Sequence, residues 1–315
     1  MLSPRGLLKS RVYVPYVRIP QGRMIDLPGR GSTFVTDTPG PSPDSPAVVL
    51  LHAVGCTGLL TWFPSIEALS QRFRVVTMDQ RWHGRGIQSP EFSLVDCADD
   101  VAALIDELGL SEPIVAGFSM GSIVAQRVWR QHPDRIGGLV LCATTDRFRS
   151  TVAERSFHAS MELTMLATRG LSRNRTAARA ARAAGRATNR TLGIAPLDIH
   201  DWAVEEFRST SPWAVGQAVA ALGRHHSRPW LHRIDVPTAV VVTLKDKVLP
   251  AENQVGLARR IPGATIHDIP AGHAACVLES GLFVPALVEA VGTVNARRRD
   301  FRRRSPSPPS SSESA

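Results

Sequence analysis

Short apolar runs alternate with stretches of helical period along most of this chain. A mostly parallel sheet flanked by helices requires that alternation. The runs with strand character are "MIDL" (24–27), "STFVT" (32–36), "AVVLLH" (47–52), "FRVVTMD" (73–79), "PIVAG" (113–117), "GLVLCA" (138–143), "TAVVVT" (238–243) and "ATIHDI" (264–269). The clearest helix between them starts at Ser93, which forms an N-terminal cap pattern with Asp96. Val101, Leu104, Ile105 and Leu108 then recur on one face until Gly109 stops it. The first two strands bracket "PGRG", a turn signal that predicts an antiparallel hairpin at one sheet edge.

After the sixth strand the rhythm breaks, and roughly 90 residues pass before another strand, too many for a loop. Their content is helical: "VAERSFHASMELTMLAT", an Ala/Arg-rich stretch, "DIHDWAVEEF" and "PWAVGQAVAAL". A helical insertion covering the crevice outside the C-terminal strand ends fits this position, because open α/β sheets bind ligands there. The expected organisation is an α/β core made of residues 1–146 and 226–295, a helical cap over 147–225, and a basic, Ser/Pro-rich, disordered tail over 296–315.

The chain of 315 residues is 43 % hydrophobic, enough to bury one substantial core. Its net charge of +9 suggests a polyanion partner until it is mapped. Residues 163–197 hold seven arginines and no acid, and residues 297–315 hold six arginines against Asp300 and Glu313. Without these two segments the balance turns slightly negative, so the core is not expected to bind nucleic acid. The tail is expected to be a solubilising or vestigial extension, with weak contact to an anionic membrane surface or nucleic acid as the alternative. No apolar stretch is long enough for a membrane span and the first twenty residues lack a signal-peptide pattern, so a soluble cytoplasmic protein is expected. Cys56, Cys97, Cys142 and Cys276 form no CxxC pair and no metal-ligand spacing, and are expected to be reduced thiols, Cys56 as apolar filler in a Gly-rich loop. There is no dinucleotide glycine pattern, P-loop or zinc motif, so neither cofactor nor metal is expected.

Candidate chemistry centres on Gly117-Phe118-Ser119-Met120-Gly121, which follows the strand "PIVAG" and precedes the helical "IVAQRVWRQH". A strand, a sharp turn and a helix make the setting of a nucleophile elbow, where flanking glycines leave room for a tight turn that lifts the serine hydroxyl above the sheet. A serine hydroxyl needs a base, and the base needs an orienting acid. His273 lies in the loop after the eighth strand and Asp246 in the loop after the seventh, so the order Ser119, Asp246, His273 is that of an α/β hydrolase triad.

These motifs, together with "LLHAVG", "DQRWHGRG", Pro250 closing the Asp246 loop, and "GHA", make the chain resemble the α/β-hydrolase superfamily from about residue 20 to residue 295. The resemblance implies Ser119 as nucleophile, His273 as general base and then acid, and Asp246 as the group that holds the imidazole tautomer. It also implies an oxyanion hole from the backbone N–H groups of Val54 and Met120. Two positions depart from the family pattern. Ala53 replaces the usual glycine after His52, and would carry about 1 kcal/mol of strain if its φ were positive. Trp82 stands where Arg-Gly-His-Gly would have glycine. Asp146, just after the sixth strand, is an alternative acid. His52 and His83 are expected to be loop histidines bonded to backbone.

In the cap, Met161, Met165, Leu166, Trp202, Phe207 and Trp213 recur at helical spacing, a pattern that belongs more often to the cap's own core than to a substrate wall. Part of this set must face Ser119 if the cap covers it, which favours a hydrophobic acyl group. The leading expectation is a serine hydrolase of carboxylic esters, thioesters or lactones working through an acyl-enzyme. C–C bond hydrolysis or cofactor-free perhydrolysis on the same scaffold, and a non-catalytic binder, are the alternatives.

Overall fold

The computed structural model describes residues 19–148 and 199–304, with positions 156, 159, 160 and 163 between them. Eight strands form one sheet: β1 Gly22–Leu27, β2 Gly31–Thr38, β3 Ala47–Leu51, β4 Arg74–Met78, β5 Ile114–Phe118, β6 Gly138–Cys142, β7 Thr238–Thr243 and β8 Thr265–Ile269. The helices among the described residues are α1 Gly58–Ser70, α2 Leu94–Glu107, α3 Met120–Gln131, α4 Ile199–Arg208, α5 Pro212–Gly223, α6 Ala251–Ala258, α7 Ala275–Leu278 and α8 Ser280–Arg304. All eight expected strands are present, each within about two residues of its predicted bounds.

The strand order is β1-β2-β4-β3-β5-β6-β7-β8. The hairpin predicted from "PGRG" is there: β1 pairs antiparallel with β2, with Leu27 opposite Gly31, at the sheet edge. Strand β2 is antiparallel to β4, and every later pair is parallel. Strand β3 has β4 on one side and β5 on the other, so the chain reverses its winding direction across β3. Loops leaving β3 and β5 therefore diverge to opposite faces and open a crevice at their C-terminal ends.

Strands β3, β5, β6 and β7 are buried along their whole length, which is why they read as continuous apolar runs rather than alternating ones. Their two faces feed two cores. Val49, Leu51 and Val115 pack with Val101, Leu104 and Ile105 of α2 and with Ile123 and Val124 of α3. On the opposite face Val48, Leu50 and Ile114 pack with Trp62 and Ile66 of α1 and with Phe283, Leu287 and Val291 of α8. Helix α2 begins at the predicted cap: the Ser93 hydroxyl accepts from the N–H groups of Val95 and Asp96.

The helical cap is inserted after the sixth strand, and its described part consists of α4 and α5. Met161, Met165 and Leu166, and the arginines between residues 169 and 190, lie outside the described residues. The expected start of a disordered tail at residue 296 is corrected, because α8 runs on to Arg304. Arg298 is buried and donates to the Glu112 carbonyl, while Arg297 Nη1 donates to the Gly263 carbonyl at 2.6 Å. Guanidinium groups reaching loop carbonyls let a polar, basic sequence continue the helix against the body, which its composition did not indicate. Residues 305–315 lie outside the described residues, and no described helix is long and apolar enough to cross a membrane.

Candidate active site

Ser119 sits between the end of β5 and the start of α3 with φ 52° and ψ −113°, a conformation that a non-glycine residue rarely takes. Steric need explains both flanking glycines. A Cβ on Gly117 would lie 2.2 Å from the Gly121 carbonyl carbon, and a Cβ on Gly121 would lie 2.0 Å from the Leu51 carbonyl oxygen. The elbow can be this tight only because its two shoulders lack side chains. Its backbone is further pinned by Ser122, whose hydroxyl donates to the Gly117 carbonyl at 2.6 Å and accepts from the Cys142 N–H at 2.9 Å. Ser122 is not among the residues singled out in the sequence, where it looks like any polar helix residue.

The loops after β7 and β8 bring Asp246 and His273 to this serine. His273 Nδ1 is 2.7 Å from Asp246 Oδ2, and His273 Nε2 is 3.1 Å from Ser119 Oγ. Burial pushes the Asp246 carboxyl up, but hydrogen bonds from His273, the Leu249 N–H and Thr243, with the histidine's charge, outweigh it and hold the group below the usual range. An ionised carboxylate only accepts, so Nδ1 carries the imidazole proton and Nε2 is left to accept from the serine hydroxyl. Asp246 is itself fixed: its Oδ1 accepts from the Val248 and Leu249 N–H groups, both at 2.8 Å, and its Oδ2 from Thr243 Oγ1 at 2.8 Å. Gln254 of α6 donates to Thr243 Oγ1 at 2.9 Å, supporting the same corner. Asp146 does not join this line; its carboxylate faces Arg260 Nε at 3.7 Å.

Val54 follows β3 in the loop facing the elbow. Met120 is the first residue of α3, where an N–H has no carbonyl one turn back to bond to. Ala53 is free of the strain considered for it: the positive φ in this loop falls on Gly55, at 76°. The Ala53 N–H bonds Thr61 Oγ1 at 3.3 Å. Trp82, in contrast, holds a left-handed backbone, φ 67°, which the sequence reading did not anticipate. Its indole compensates, packing on Phe92 and donating to Ser89 at 3.1 Å.

The other candidate groups near this crevice are neutral at pH 7. His52 Nε2 accepts from the Gln80 N–H at 2.8 Å, so its Nδ1 donates to the Ala53 carbonyl, also at 2.8 Å. Burial lowers its pKa to about 4. His83 faces the Arg81 carbonyl, and burial followed by the neighbouring His52 lowers it to about 3. Burial pushes the Cys56 thiol up to about 11. None of these is a base or thiolate poised for use.

The alpha/beta hydrolase fold family matches residues 46–280 of the sequence. The chain belongs to the α/β-hydrolase family. This α/β hydrolase is 29 % identical over 269 residues to a pimeloyl-acyl-carrier-protein methyl ester esterase of Chromobacterium violaceum, covering 82 % of this chain and 97 % of that protein. A shorter match, 36 % over 104 residues, joins it to a putative carbamate hydrolase, RutD, of Caulobacter vibrioides; it takes in 32 % of this chain and spans only 38 % of the carbamate hydrolase. A solved hydrolase from Pseudomonas aeruginosa PA01 superposes with a TM-score of 0.68 at 23 % identity, over 87 % of this chain and 100 % of that one. At that identity the likeness speaks for the fold.

Proposed function

We propose that this α/β hydrolase cleaves a carboxylic ester through an acyl-enzyme on Ser119. The observation that carries the reading is the unbroken line from Ser119 Oγ through both ring nitrogens of His273 to Asp246. In the first half-reaction Ser119 Oγ bonds to the acyl carbonyl carbon while its proton passes to His273 Nε2. The tetrahedral oxyanion is met by the Val54 and Met120 N–H groups. The carbonyl re-forms as the carbon–oxygen bond to the alcohol breaks, and the alcohol leaves with the proton from Nε2. Water then repeats the sequence on the acyl-enzyme, giving the acid and regenerating Ser119. Asp246 stays ionised and stabilises the imidazolium in both halves.

The esterase relative supports ester as the bond class, and the carbamate hydrolase relative makes a carbamate the second substrate to test, since both reactions share acyl transfer to a nucleophile. An apolar acyl group is favoured by the apolar composition of the cap sequence alone, since Trp202 of α4 is half-buried edge-on to Phe63 of α1, ring centroids 5.2 Å apart, and so belongs to the cap–core seam. Fluorophosphonate treatment followed by mass spectrometry should place one adduct on Ser119. Ser119→Ala should leave at most the roughly 10³ to 10⁴-fold acceleration over water that oxyanion binding alone supplies. An adduct elsewhere, or a folded Ser119→Ala enzyme with near-normal turnover of esters, thioesters, lactones, carbamates or diketones, sinks the assignment.

A further inference from the structure

The cap and core meet through a polar contact that the catalytic line does not use. Trp202 and Glu206 are four residues apart on α4 and therefore share a face of the helix. Trp202 packs on Phe63, while Glu206 reaches two separate core loops. Its Oε2 accepts from Thr57 Oγ1 at 2.5 Å, and its Oε1 pairs with Arg85 Nη2 at 3.3 Å. Thr57 is the N-cap of α1 and the last residue of the loop that leaves β3 and carries Val54. Arg85 lies in the loop after β4, its guanidinium over the Phe34 ring. Asp79 clamps the same two loops from below, accepting from the Gly58 and Arg85 N–H groups, each at 2.9 Å.

Two further cap contacts fall on the same loops. Thr210 Oγ1 accepts from the Gly84 N–H at 3.0 Å, and Val215 of α5 lies 3.4 Å from where a Cβ on Gly55 would stand. Burial raises the Glu206 carboxyl, and the Thr57 hydrogen bond and the Arg85 charge pull against it. A desolvated carboxylate is a poor source of cohesion compared with an apolar seam, but its hydrogen bonds fix orientation in a way apolar contact does not.

We propose that Glu206 is a positioning residue that holds the loop carrying the Val54 N–H in register through Thr57, so that its effect appears in turnover rather than in substrate binding. This rests on the serine-hydrolase reading above. Displacing an oxyanion donor by a fraction of an ångström weakens transition-state binding while leaving ground-state contacts largely intact.

The test uses the full chain with p-nitrophenyl acetate for kcat and KM, a fluorophosphonate for the rate of Ser119 labelling, and thermal melting as control. E206A should lower kcat and the labelling rate about 10 to 100-fold, with KM within about twofold. E206Q, whose amide oxygen can still accept from Thr57, should recover to within about threefold of wild type. In a T57V background E206A should add less than about twofold, because the two residues act as one unit. Wild-type kcat in E206A, a change confined to KM, losses that track melting alone, no recovery in E206Q, or effects that multiply in the double variant each overturn the proposal. If wild type is not labelled at Ser119, the serine-hydrolase reading fails on its own account. Hydrogen exchange over residues 52–57 then still reads the latch: E206A should speed it about tenfold, and unchanged exchange overturns the positioning role.

Discussion

The elbow around Ser119 and the seam under α4 hold neighbouring parts of one site by opposite means. At the elbow, backbone packs on backbone: Gly117 lies against the Gly121 and Ser122 main chain, Gly121 against the Leu51 carbonyl, and Ser122 ties the turn to Gly117 and Cys142. At the seam, long side chains bridge helices and loops far apart in the chain: Thr57 to Glu206 spans 149 positions and Arg85 to Glu206 spans 121. Steric exclusion tolerates no substitution, whereas hydrogen-bonded side chains tolerate isosteres. The elbow should therefore fail abruptly when changed and the seam by degrees.

The sharpest break is at the end of the catalytic line. Asp246→Asn should lower kcat about 10⁴-fold by turning the imidazole to the wrong tautomer, whereas Asp146→Asn should do little. Steady-state kinetics on both variants decides it, and a severe Asp146→Asn would transfer the acid role.

Next comes the elbow's backbone. Gly121→Ala places a Cβ against the Leu51 carbonyl, and a loss of more than about 4 kcal/mol in urea unfolding, or no soluble protein, is expected. A stable Gly121→Ala protein would show that the elbow yields, and the comparison with the seam would collapse.

Acid sharpens the comparison because buried histidines stand on both sides of it. Burial lowers His52 to about 4 and His83 to about 3 beside the elbow, and His225, just past α5, to about 3. The unfolded chain takes up these protons near pH 6.5 and the folded chain refuses them. Stability is thus complete above that pH and falls as pH drops, by about 4 kcal/mol between pH 7 and 5.5 for the three together. Urea titrations at the two pH values should show the loss, and His225→Gln should remove about a third of it. A pH-independent midpoint would mean that these rings are solvated.

The smallest effect belongs to the seam. Thr210→Val deprives the Gly84 N–H of its acceptor and should cost about 1 to 2 kcal/mol without abolishing folding. A collapse comparable to that of Gly121→Ala would show that the cap is as intolerant as the core.

The sheet's strands, the hairpin at its edge, the Ser93 cap and the residues from which the candidate site is built are all legible along the chain. Each of these has a local signature. Buried strands need continuous apolar runs, a hairpin needs residues that accept its turn, and a left-handed serine squeezed between backbone segments needs glycine on both sides. Even Trp82 was conspicuous for standing where a glycine was expected.

Tertiary structure decided what proximity alone can decide. Asp246 and Asp146 both follow a strand of the sheet, and only the folded chain brings one to His273 and the other to Arg260. The six arginines after residue 296 look like a solvated tail, yet Arg297 and Arg298 find carbonyls on the body and α8 continues past them. Glu206 looks like a surface position of an amphipathic helix, and nothing within reach along the chain marks it as the partner of Thr57 and Arg85. Hydrophobic period and backbone conformation are written residue by residue, but the partner of a charged side chain depends on which segments the fold carries alongside it.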